Sequence, residues 1–284
     1  MFDSMGNAFR DRLARRAEQC PVGTWVMSAS PLVAEAIGHA GFDWAVIDME
    51  HTPLDLMEVI HLLQAVAGTP MTPVVRVPWN EMVTIKRVLD AGAHTLLVPF
   101  VQDAEQARAA VAATRYPPEG VRGMAGMSRS SRFGTAPNHL VQANTQVSVI
   151  VQLETPQAIA QLEAIAAVPG VDGLFVGPGD LSGSMGYPGQ LTHPDVMALM
   201  TDAAARARRM GMPIGTVGGT PEVVEQYRAA GYDFLAIASD LGLMMRACAG
   251  ALQSVRSAGS AGSSAGVASA PPAASAAPAS SSGY

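Results

Sequence analysis

The sequence predicts an α/β fold of the (β/α)8, or TIM-barrel, type. Short apolar runs rich in β-forming residues alternate with segments of helical periodicity over residues 1–256. The runs are apolar almost throughout, as expected of parallel strands that are buried on both faces. Eight strand–helix units in about 250 residues match the count and length of such a barrel. A doubly wound open sheet is the alternative, but no G-x-G-x-x-G motif follows the first strand.

The predicted strands occur at fairly regular intervals along the chain. They are Thr24–Ser28, Trp44–Met49, Pro73–Val77, Thr95–Phe100, Val147–Leu153, Gly173–Val176, Pro213–Val217 and Phe234–Ala238. Apolar spacing assigns helices to Leu54–Val66 and Glu81–Leu89, and an opening helix to about Ser4–Gln19. Capping residues mark the expected helix starts at Thr52-Pro53, Asn80, Asp103, Thr155-Pro156 and Thr220-Pro221.

The composition changes at about Ser257. From there to Tyr284 the chain consists almost entirely of Ala, Ser, Gly and Pro and has no charged residue. Such a segment buries too little apolar surface to offset the entropy lost on ordering. We therefore predict one barrel domain over residues 1–256 and a disordered, low-complexity tail over residues 257–284.

Composition also excludes several classes of protein. The net charge of −6, without a basic stripe, argues against a nucleic-acid-binding protein. The absence of an apolar run of about 18 residues argues against a membrane span. The charged N-terminus lacks the apolar core of a secretory signal. Two cysteines, Cys20 and Cys248, cannot form a disulfide scaffold. A cytoplasmic location is expected.

The first candidate site follows the second predicted strand, where Asp48, Glu50 and His51 lie within four positions. Histidine titrates near neutrality, and a carboxylate partner can raise its basicity and select its tautomer. His51 is therefore a candidate general base, with Asp48, three residues before it, as the candidate carboxylate partner. A solvated loop that leads into a helix is the alternative.

The third predicted strand carries Arg76 inside an apolar run. A buried guanidinium is costly without an anionic partner. Because arginine binds carboxylates through two parallel hydrogen bonds, Arg76 is a candidate for binding a substrate carboxylate. A structural salt bridge is the alternative.

The fifth and sixth predicted strands end in further oxygen donors. Gln152 and Glu154 are two residues apart and point to the same side of a strand. Asp180 follows Gly177-Pro178-Gly179, where glycine permits close approach of the backbone to a bound anion. Two carboxylates, completed by water and substrate oxygens, favour Mg²⁺ or Mn²⁺ over zinc. A turn with a helix cap is the alternative for this glycine segment.

The ordered motifs IDMEH, VVRVPWN, LLVPF, PPEGVRG, VQLET and VGPGDLSGSMG resemble the HpcH/HpaI aldolase/citrate lyase family over about residues 5–256. The similarity is closer to its class II pyruvate aldolases, of the 4-hydroxy-2-oxoheptanedioate and 2-dehydro-3-deoxyglucarate types. It implies a homohexameric barrel, often with the last helix exchanged between subunits. It also implies a divalent metal, Mg²⁺ or Mn²⁺ with Co²⁺ as a further candidate, held by Glu154 and Asp180.

The resemblance further implies roles for individual residues. His51 is the base and Arg76 stabilises the transition state, while Gln152 and Gly179 bind substrate. Asp90, in the L-D-x-G motif, is implied to raise the basicity of His51. The implied reaction is the reversible cleavage of 4-hydroxy-2-oxo acids to pyruvate and an aldehyde through a metal-held pyruvate enolate. Aromatic compound catabolism is one setting for such chemistry.

Three other functions remain open. A Schiff-base aldolase needs a lysine at a strand end, but Lys86, the single lysine of the chain, lies in the middle of a predicted helix. A CoA-thioester lyase of the citrate lyase or malyl-CoA type would carry a basic surface for the CoA phosphates, which the sequence does not indicate. A non-catalytic barrel is disfavoured because the candidate base, arginine and both carboxylates are present.

Overall fold

Residues 6–262 are described by a computed structural model in which eight parallel strands close into a barrel. Each strand pairs with the next along the chain, and β8 pairs with β1. The strands are β1 (Val22–Val26), β2 (Trp44–Asp48), β3 (Thr72–Arg76), β4 (Thr95–Val98), β5 (Ser148–Leu153), β6 (Gly173–Val176), β7 (Ile214–Gly218) and β8 (Phe234–Ser239). All eight predicted strands are confirmed, with ends within two residues of those predicted.

Helices precede, connect and follow the strands. They are α1 (Ala8–Ala14), α2 (Pro31–Gly38), α3 (Leu56–Val66), α4 (Met82–Asp90), α5 (Ala104–Thr114), α6 (His139–Gln146), α7 (Pro156–Ala160), α8 (Leu162–Ala166), α9 (Pro178–Ser184), α10 (Pro194–Arg209), α11 (Pro221–Ala230) and α12 (Asp240–Gly262). Within residues 6–262, none of the helices is long and apolar enough to cross a membrane.

Two of the predicted helix starts are wrong. The helix α3 begins after Asp55, which forms a capping box with Glu58, and not after Thr52. The helix α4 is capped by Glu81, whose carboxylate accepts the N–H groups of Val83 and Thr84 at 2.8 Å. One carboxylate thus satisfies two free N–H groups, so the cap lies one residue after the predicted Asn80.

The starts at Asp103, Thr155 and Thr220 are confirmed, because each side chain accepts a backbone N–H in the first turn of its helix. The opening helix is shorter than predicted. Asn7 caps α1, and turns replace helix after Ala14.

The end of the chain differs from the prediction. The helix α12 continues to Gly262, so the first residues of the predicted tail are helical. The remainder of that predicted tail, residues 263–284, lies outside the described residues. The chain divides into the compact units Met1–Leu243, which contains the barrel, and Met244–Tyr284, whose described part is helical. The predicted domain boundary after residue 256 stays a prediction.

The inside of the barrel is filled by large apolar side chains. Phe9 of α1 packs edge-on against Trp44 and Phe234, with ring centroids 5.5 and 5.7 Å apart. The Nδ2 atom of Asn7 donates to the carbonyls of His94 and Gln146, which lie one residue before β4 and two residues before β5. The helix α1 therefore closes the amino-terminal end of the barrel, and the carboxyl ends of the strands face the opposite side.

A second apolar layer packs between the barrel and the surrounding helices. In β2, Ala45 and Ile47 belong to this outer layer, whereas Trp44 and Val46 belong to the interior. This alternation follows from the two-residue period of a strand. It places the next residue of β2, Asp48, on the interior side at the carboxyl end.

Candidate active site

The polar side chains of the candidate site follow the same alternation on three strands. Each of these side chains lies two residues after an apolar residue that faces the barrel interior: Asp48 after Val46, Arg76 after Val74 and Gln152 after Ile150. Asp48, Arg76 and Gln152 are all buried. Asp48 and Arg76 are register partners in adjacent strands. The period of the strands thus brings these predicted residues to one end of the barrel.

Arg76 is held by two carboxylates. Its Nε and Nη2 atoms each donate to Asp48 at 2.8 Å, which is a two-bond fork. Its Nη1 atom lies 2.8 Å from Oε2 of Glu50, and the guanidinium lies 5.6 Å from the ring centroid of Trp25. Among the described residues, the hydrogen bonds to Asp48 use Nε and one N–H of Nη2, which leaves N–H groups on both terminal nitrogens for a substrate oxygen. The structural salt bridge and the substrate-binding role are therefore compatible.

Asp48 also shapes the turn that carries His51. Its Oδ1 atom accepts the backbone N–H of Glu50 at 3.0 Å and that of His51 at 3.5 Å. The contact with His51 runs through the backbone, and the carboxylate itself is paired with Arg76. The imidazole is more than half exposed, at 57%, and its Nε2 atom lies 3.9 Å from Oε2 of Glu50.

Glu50 is a site residue to which the sequence reasoning gave no role. Its carboxylate contacts Arg76 and lies beside the ring of His51. Burial raises the pKa of Glu50, while the nearby Arg76 and His51 oppose that rise. The D-x-E-H motif carries a signal for this role of Glu50. Residues 48 and 50 are two apart at a strand end, and residues with that spacing point to the same side of a strand.

Glu154 follows the last residue of β5, and its side chain is buried, at 1% exposure. Its Oε2 atom accepts the backbone N–H of Phe100 at 2.9 Å, and its Oε1 atom accepts Nε2 of Gln152 at 2.5 Å. Burial, together with the negative charges of Glu50 and Asp180, raises the pKa of Glu154 to about 7. A bound cation would offset the unfavourable energy of an ionised carboxylate that is buried near other negative charges.

The segment after β6 lies against Glu154. A Cβ atom at Gly177 would lie 2.8 Å from Oε1 of Glu154, so only glycine fits without movement. Pro178 begins α9, and both Gly179 and Asp180 are exposed in its first turn. Asp180 is close enough to raise the pKa of both Glu50 and Glu154.

The donor set fits a divalent cation held by few protein atoms. Over residues 6–262, no group of three or more His, Cys, Asp or Glu side chains is arranged to hold a metal ion. The carboxylates of Glu154 and Asp180 would therefore need oxygen atoms of substrate and water to complete the coordination. The Oε1 atom of Gln152 is buried and has no hydrogen-bond partner among the described residues. It is a further oxygen donor beside Glu154.

Asp90 lies elsewhere in the chain. It is the last residue of α4, and its Oδ1 atom accepts Nη2 of Arg122 at 2.7 Å. Arg122 is buried and lies 4.5 Å from the ring centroid of Tyr116. Because α4 leads into the start of β4, its last residue lies towards the amino-terminal end of the strands. The structure brings together the other predicted residues but not Asp90 and His51.

Comparison with known proteins shows close relatives over most of the chain. The model of the HpcH/HpaI aldolase/citrate lyase family matches residues 22–247. The chain is 54% identical over 230 residues to a 2-dehydro-3,6-dideoxy-6-sulfogluconate aldolase of Pseudomonas putida, which covers 81% of this chain and 90% of that protein. It is 45% identical over 237 residues to a 5-keto-4-deoxy-D-glucarate aldolase of Salmonella arizonae, covering 84% and 92%.

The fold is also shared with solved structures. A HpcH/HpaI aldolase/citrate lyase family protein from Burkholderia cenocepacia J2315 superposes with a TM-score of 0.85 at 43% sequence identity. The match covers 88% of this chain and 99% of that one.

Proposed function

The chain belongs to the HpcH/HpaI aldolase/citrate lyase family, and we propose that it is a divalent-metal-dependent aldolase that cleaves 4-hydroxy-2-oxo acids to pyruvate and an aldehyde. Relatives at 45–54% identity are named as aldolases, which are carbon–carbon lyases. One observation carries the proposal furthest. It is the fully buried Glu154, whose pKa is raised to about 7 beside Asp180 and Glu50, at the open end of a barrel.

Glu154 and Asp180 would hold the metal, which is Mg²⁺ or Mn²⁺ with Co²⁺ as a further candidate. Hard divalent cations take carboxylate, amide and water oxygens, and these are the donors present. When bound, the metal supplies a Lewis acid that stabilises the negative charge formed during cleavage. The unpartnered Oε1 atom of Gln152 supports this assignment because it adds an uncharged oxygen donor next to Glu154.

His51 is the proposed proton acceptor. Its exposed imidazole can reach a substrate that enters from solvent, and it lies beside the carboxylate of Glu50. During cleavage the 4-hydroxyl of the substrate gives its proton to His51 and the C3–C4 bond breaks. The electron pair passes to C3, which gives the enolate of pyruvate, and C4 leaves as the aldehyde carbonyl. Protonation at C3 completes the reaction, and the condensation runs through the same groups in reverse.

Arg76 is the proposed stabiliser of negative charge. Its fork to Asp48 fixes the plane of the guanidinium, and N–H groups on both terminal nitrogens remain for a substrate oxygen. A donor that is fixed before the reaction needs little reorganisation when charge develops. Asp48 therefore acts here through Arg76.

Gln152 and the segment Gly177-Pro178-Gly179 are the proposed substrate-binding residues. Gly177 lets the carboxylate of Glu154 pack against the backbone after β6, whereas Gly179 is exposed in the first turn of α9 with open space beside it. A 2-oxo acid could approach the backbone of Gly179 closely because glycine has no side chain.

Two features implied by the resemblance remain proposals. The first is a role for Asp90 in raising the basicity of His51, although Asp90 pairs with Arg122 within the chain. Replacing Asp90 by Asn and measuring the pH dependence of kcat would test that role. The second is assembly as a homohexamer, which the mass of the purified protein in solution would test.

The relatives support a proposal for the substrate class. Their names include a sulfogluconate derivative and a keto-deoxy-glucarate, which are 2-oxo acids with a second anionic group at the far end. A further relative, 46% identical over 231 residues, is a hydroxypyruvate/pyruvate aldolase of Sagittula stellata. We propose that the substrate of this chain consists of a pyruvate-derived half and an aldehyde-derived half that carries the second anionic group. Substrates of the 2-dehydro-3-deoxyglucarate and 4-hydroxy-2-oxoheptanedioate types have this composition.

The test is a pyruvate-release assay over a panel of 4-hydroxy-2-oxo acids, with malyl-CoA as a thioester arm. Treatment with EDTA should abolish cleavage, and Mg²⁺ or Mn²⁺ should restore it. Glu163→Gln, which alters an exposed salt bridge on α8, is a control that should behave as wild type. Full activity of the metal-stripped protein would contradict the proposal, and preference for the thioester would replace it by a CoA-thioester lyase.

A further inference from the structure

Phe100 adopts an uncommon backbone conformation beside the candidate site. Its φ of 54° lies in the left-handed region, which bulky L-residues rarely adopt. Such residues persist where the surrounding structure enforces them, and they are concentrated at functional sites.

The conformation belongs to a local bulge between β4 and β5. Val98 pairs with Val151, and the N–H of Val101 donates to the carbonyl of Gln152 at 3.1 Å. Pro99 and Phe100 therefore loop out between two contacts that are adjacent on β5. Pro99 has no N–H, so the amide of Phe100 is the one that this bulge can offer as a donor.

That amide is directed at the proposed metal ligand. The N–H of Phe100 donates to Oε2 of Glu154 at 2.9 Å, while Gln152 holds the other oxygen. Both oxygen atoms of the carboxylate are thus oriented by the protein. A metal ligand that is held by such outer partners binds more tightly because its orientation is already set.

The ring of Phe100 is stacked on Trp79. The ring centroids are 5.8 Å apart and the planes are inclined by 25°. Phe100 and Trp79 are both exposed, at 40% and 55%, so neither ring is anchored in the core. Trp79 comes three residues after Arg76, at the end of the neighbouring strand, which places the stack beside the site.

We propose that Trp79 and Phe100 are positioning residues: their stacked rings hold Phe100 in the left-handed conformation, in which its N–H fixes the carboxylate of Glu154 for metal binding. This inference rests on the proposed function, because it explains how Glu154 of the same proposed metal site is oriented. It concerns affinity for the metal and the orientation of the ligand, and it assigns neither ring a contact with the reacting atoms.

The test uses two substitutions that separate the backbone from the ring. Phe100→Gly removes the ring but permits the left-handed conformation, whereas Phe100→Val keeps a side chain whose branched Cβ opposes it. The measured quantity is Mn²⁺ affinity, from the electron paramagnetic resonance signal of free Mn²⁺. We expect Phe100→Gly to bind close to wild type and Phe100→Val to bind about 10-fold more weakly.

A double-variant cycle tests the part played by Trp79. Trp79→Ala should weaken Mn²⁺ binding by roughly 2- to 10-fold, the range expected for an aromatic pair. In the Phe100→Gly background the same change should have no further effect, because glycine needs no stacked partner to hold the conformation. This cycle stays informative even if Phe100→Val folds poorly.

Phe133 offers a matched control. Its φ is 56°, its ring is 66% exposed, and its N–H donates to the carbonyl of Ser128 at 2.8 Å, not to a carboxylate. Phe133→Gly and Phe133→Val should leave Mn²⁺ affinity unchanged, although the valine change imposes the same backbone strain. Thermal unfolding of all variants reports the shared structural cost.

The outcomes separate this inference from the function on which it rests. If the wild type binds Mn²⁺ and the Phe100 variants bind it equally well, or the glycine change costs as much as the valine change, the inference is wrong. Loss from Trp79→Ala that persists in the Phe100→Gly background would also overturn it. If the wild type binds no Mn²⁺, the proposed metal site fails and this inference fails with it.

Discussion

Replacing Glu154 by glutamine should stabilise the metal-free protein at alkaline pH, although it removes a proposed metal ligand. In the folded chain, burial and the charges of Glu50 and Asp180 raise the pKa of Glu154 from 4.5 to about 7. Between these two values the folded chain keeps a proton that the unfolded chain has released. Stability therefore falls as the pH rises through this window, and it stays low above it.

The magnitude follows from the difference between the two pKa values. The two pKa values differ by about 2.5, and a difference of one in pKa corresponds to about 1.36 kcal/mol, so the effect on the free energy of unfolding is about 3 kcal/mol. Glutamine carries no charge at any of these pH values. Its free energy of unfolding should therefore exceed that of the wild type by about 3 kcal/mol at pH 8.5 and match it near pH 4.5.

The local geometry accepts the amide. Its oxygen can take the N–H of Phe100, in the place of Oε2 of Glu154. Its nitrogen can donate to Oε1 of Gln152, which is buried without a partner among the described residues, once the amide of Gln152 rotates. The substitution thus removes a buried charge and keeps one hydrogen bond to each polar atom of the new side chain.

The assay is urea unfolding in EDTA from pH 4.5 to pH 8.5, repeated with Mn²⁺. Added Mn²⁺ should stabilise the wild type above pH 7 and stabilise Glu154→Gln much less, because the variant offers the cation the carboxylate of Asp180 but not that of Glu154. Glu35→Gln, at an exposed position on α2, is the control for a change of net charge. A variant less stable than the wild type at pH 8.5, or a difference that does not vary with pH, would refute the reasoning.

Three further predictions concern the neighbouring residues. Asp48→Asn should lower the free energy of unfolding by about 3–5 kcal/mol, because it leaves the buried Arg76 without its forked partner; a loss below about 1 kcal/mol in urea unfolding would match an exposed pair and contradict this. Arg76→Lys should reduce kcat for cleavage by about 10²-fold or more, since one ammonium cannot reproduce the fork to Asp48 and the contact with Glu50; cleavage at the wild-type rate would make Arg76 purely structural. His51→Ala should reduce cleavage by about 10²- to 10⁴-fold while pyruvate still binds, as measured by titration calorimetry; loss of pyruvate binding would indicate a different role.

Much of the fold could be predicted because its signals are local. Each strand is an apolar run of a few residues, and all eight were placed within two residues of their observed ends. Helix starts were less certain where two capping residues compete. Asn80 and Glu81 are adjacent; in the structure Glu81 caps α4, and Asn80 donates to the carbonyl of Gln106, which is distant in sequence.

The candidate site could be predicted as a set of residues but not as a set of contacts. Asp48 was expected beside His51 because the two are close in sequence. The register of β2 against β3 sets it opposite Arg76 instead, and a forked ion pair uses its carboxylate. The sequence gives Glu50 no separate role because an acid in a loop is usually solvated, whereas in the structure its carboxylate lies 2.8 Å from Arg76.

The sequence by itself determined the barrel, the approximate ends of its strands and the placement of Gln152 and Glu154 on the same side of one strand. These depend on apolar patterning and on the two-residue period, both of which act over a few neighbouring residues. The tertiary structure alone decided which groups meet: Arg76 with Asp48 and Glu50, and the amide of Phe100 with Glu154. Those pairs are set by strand register and by a backbone bulge, which arise only when segments distant in sequence pack together.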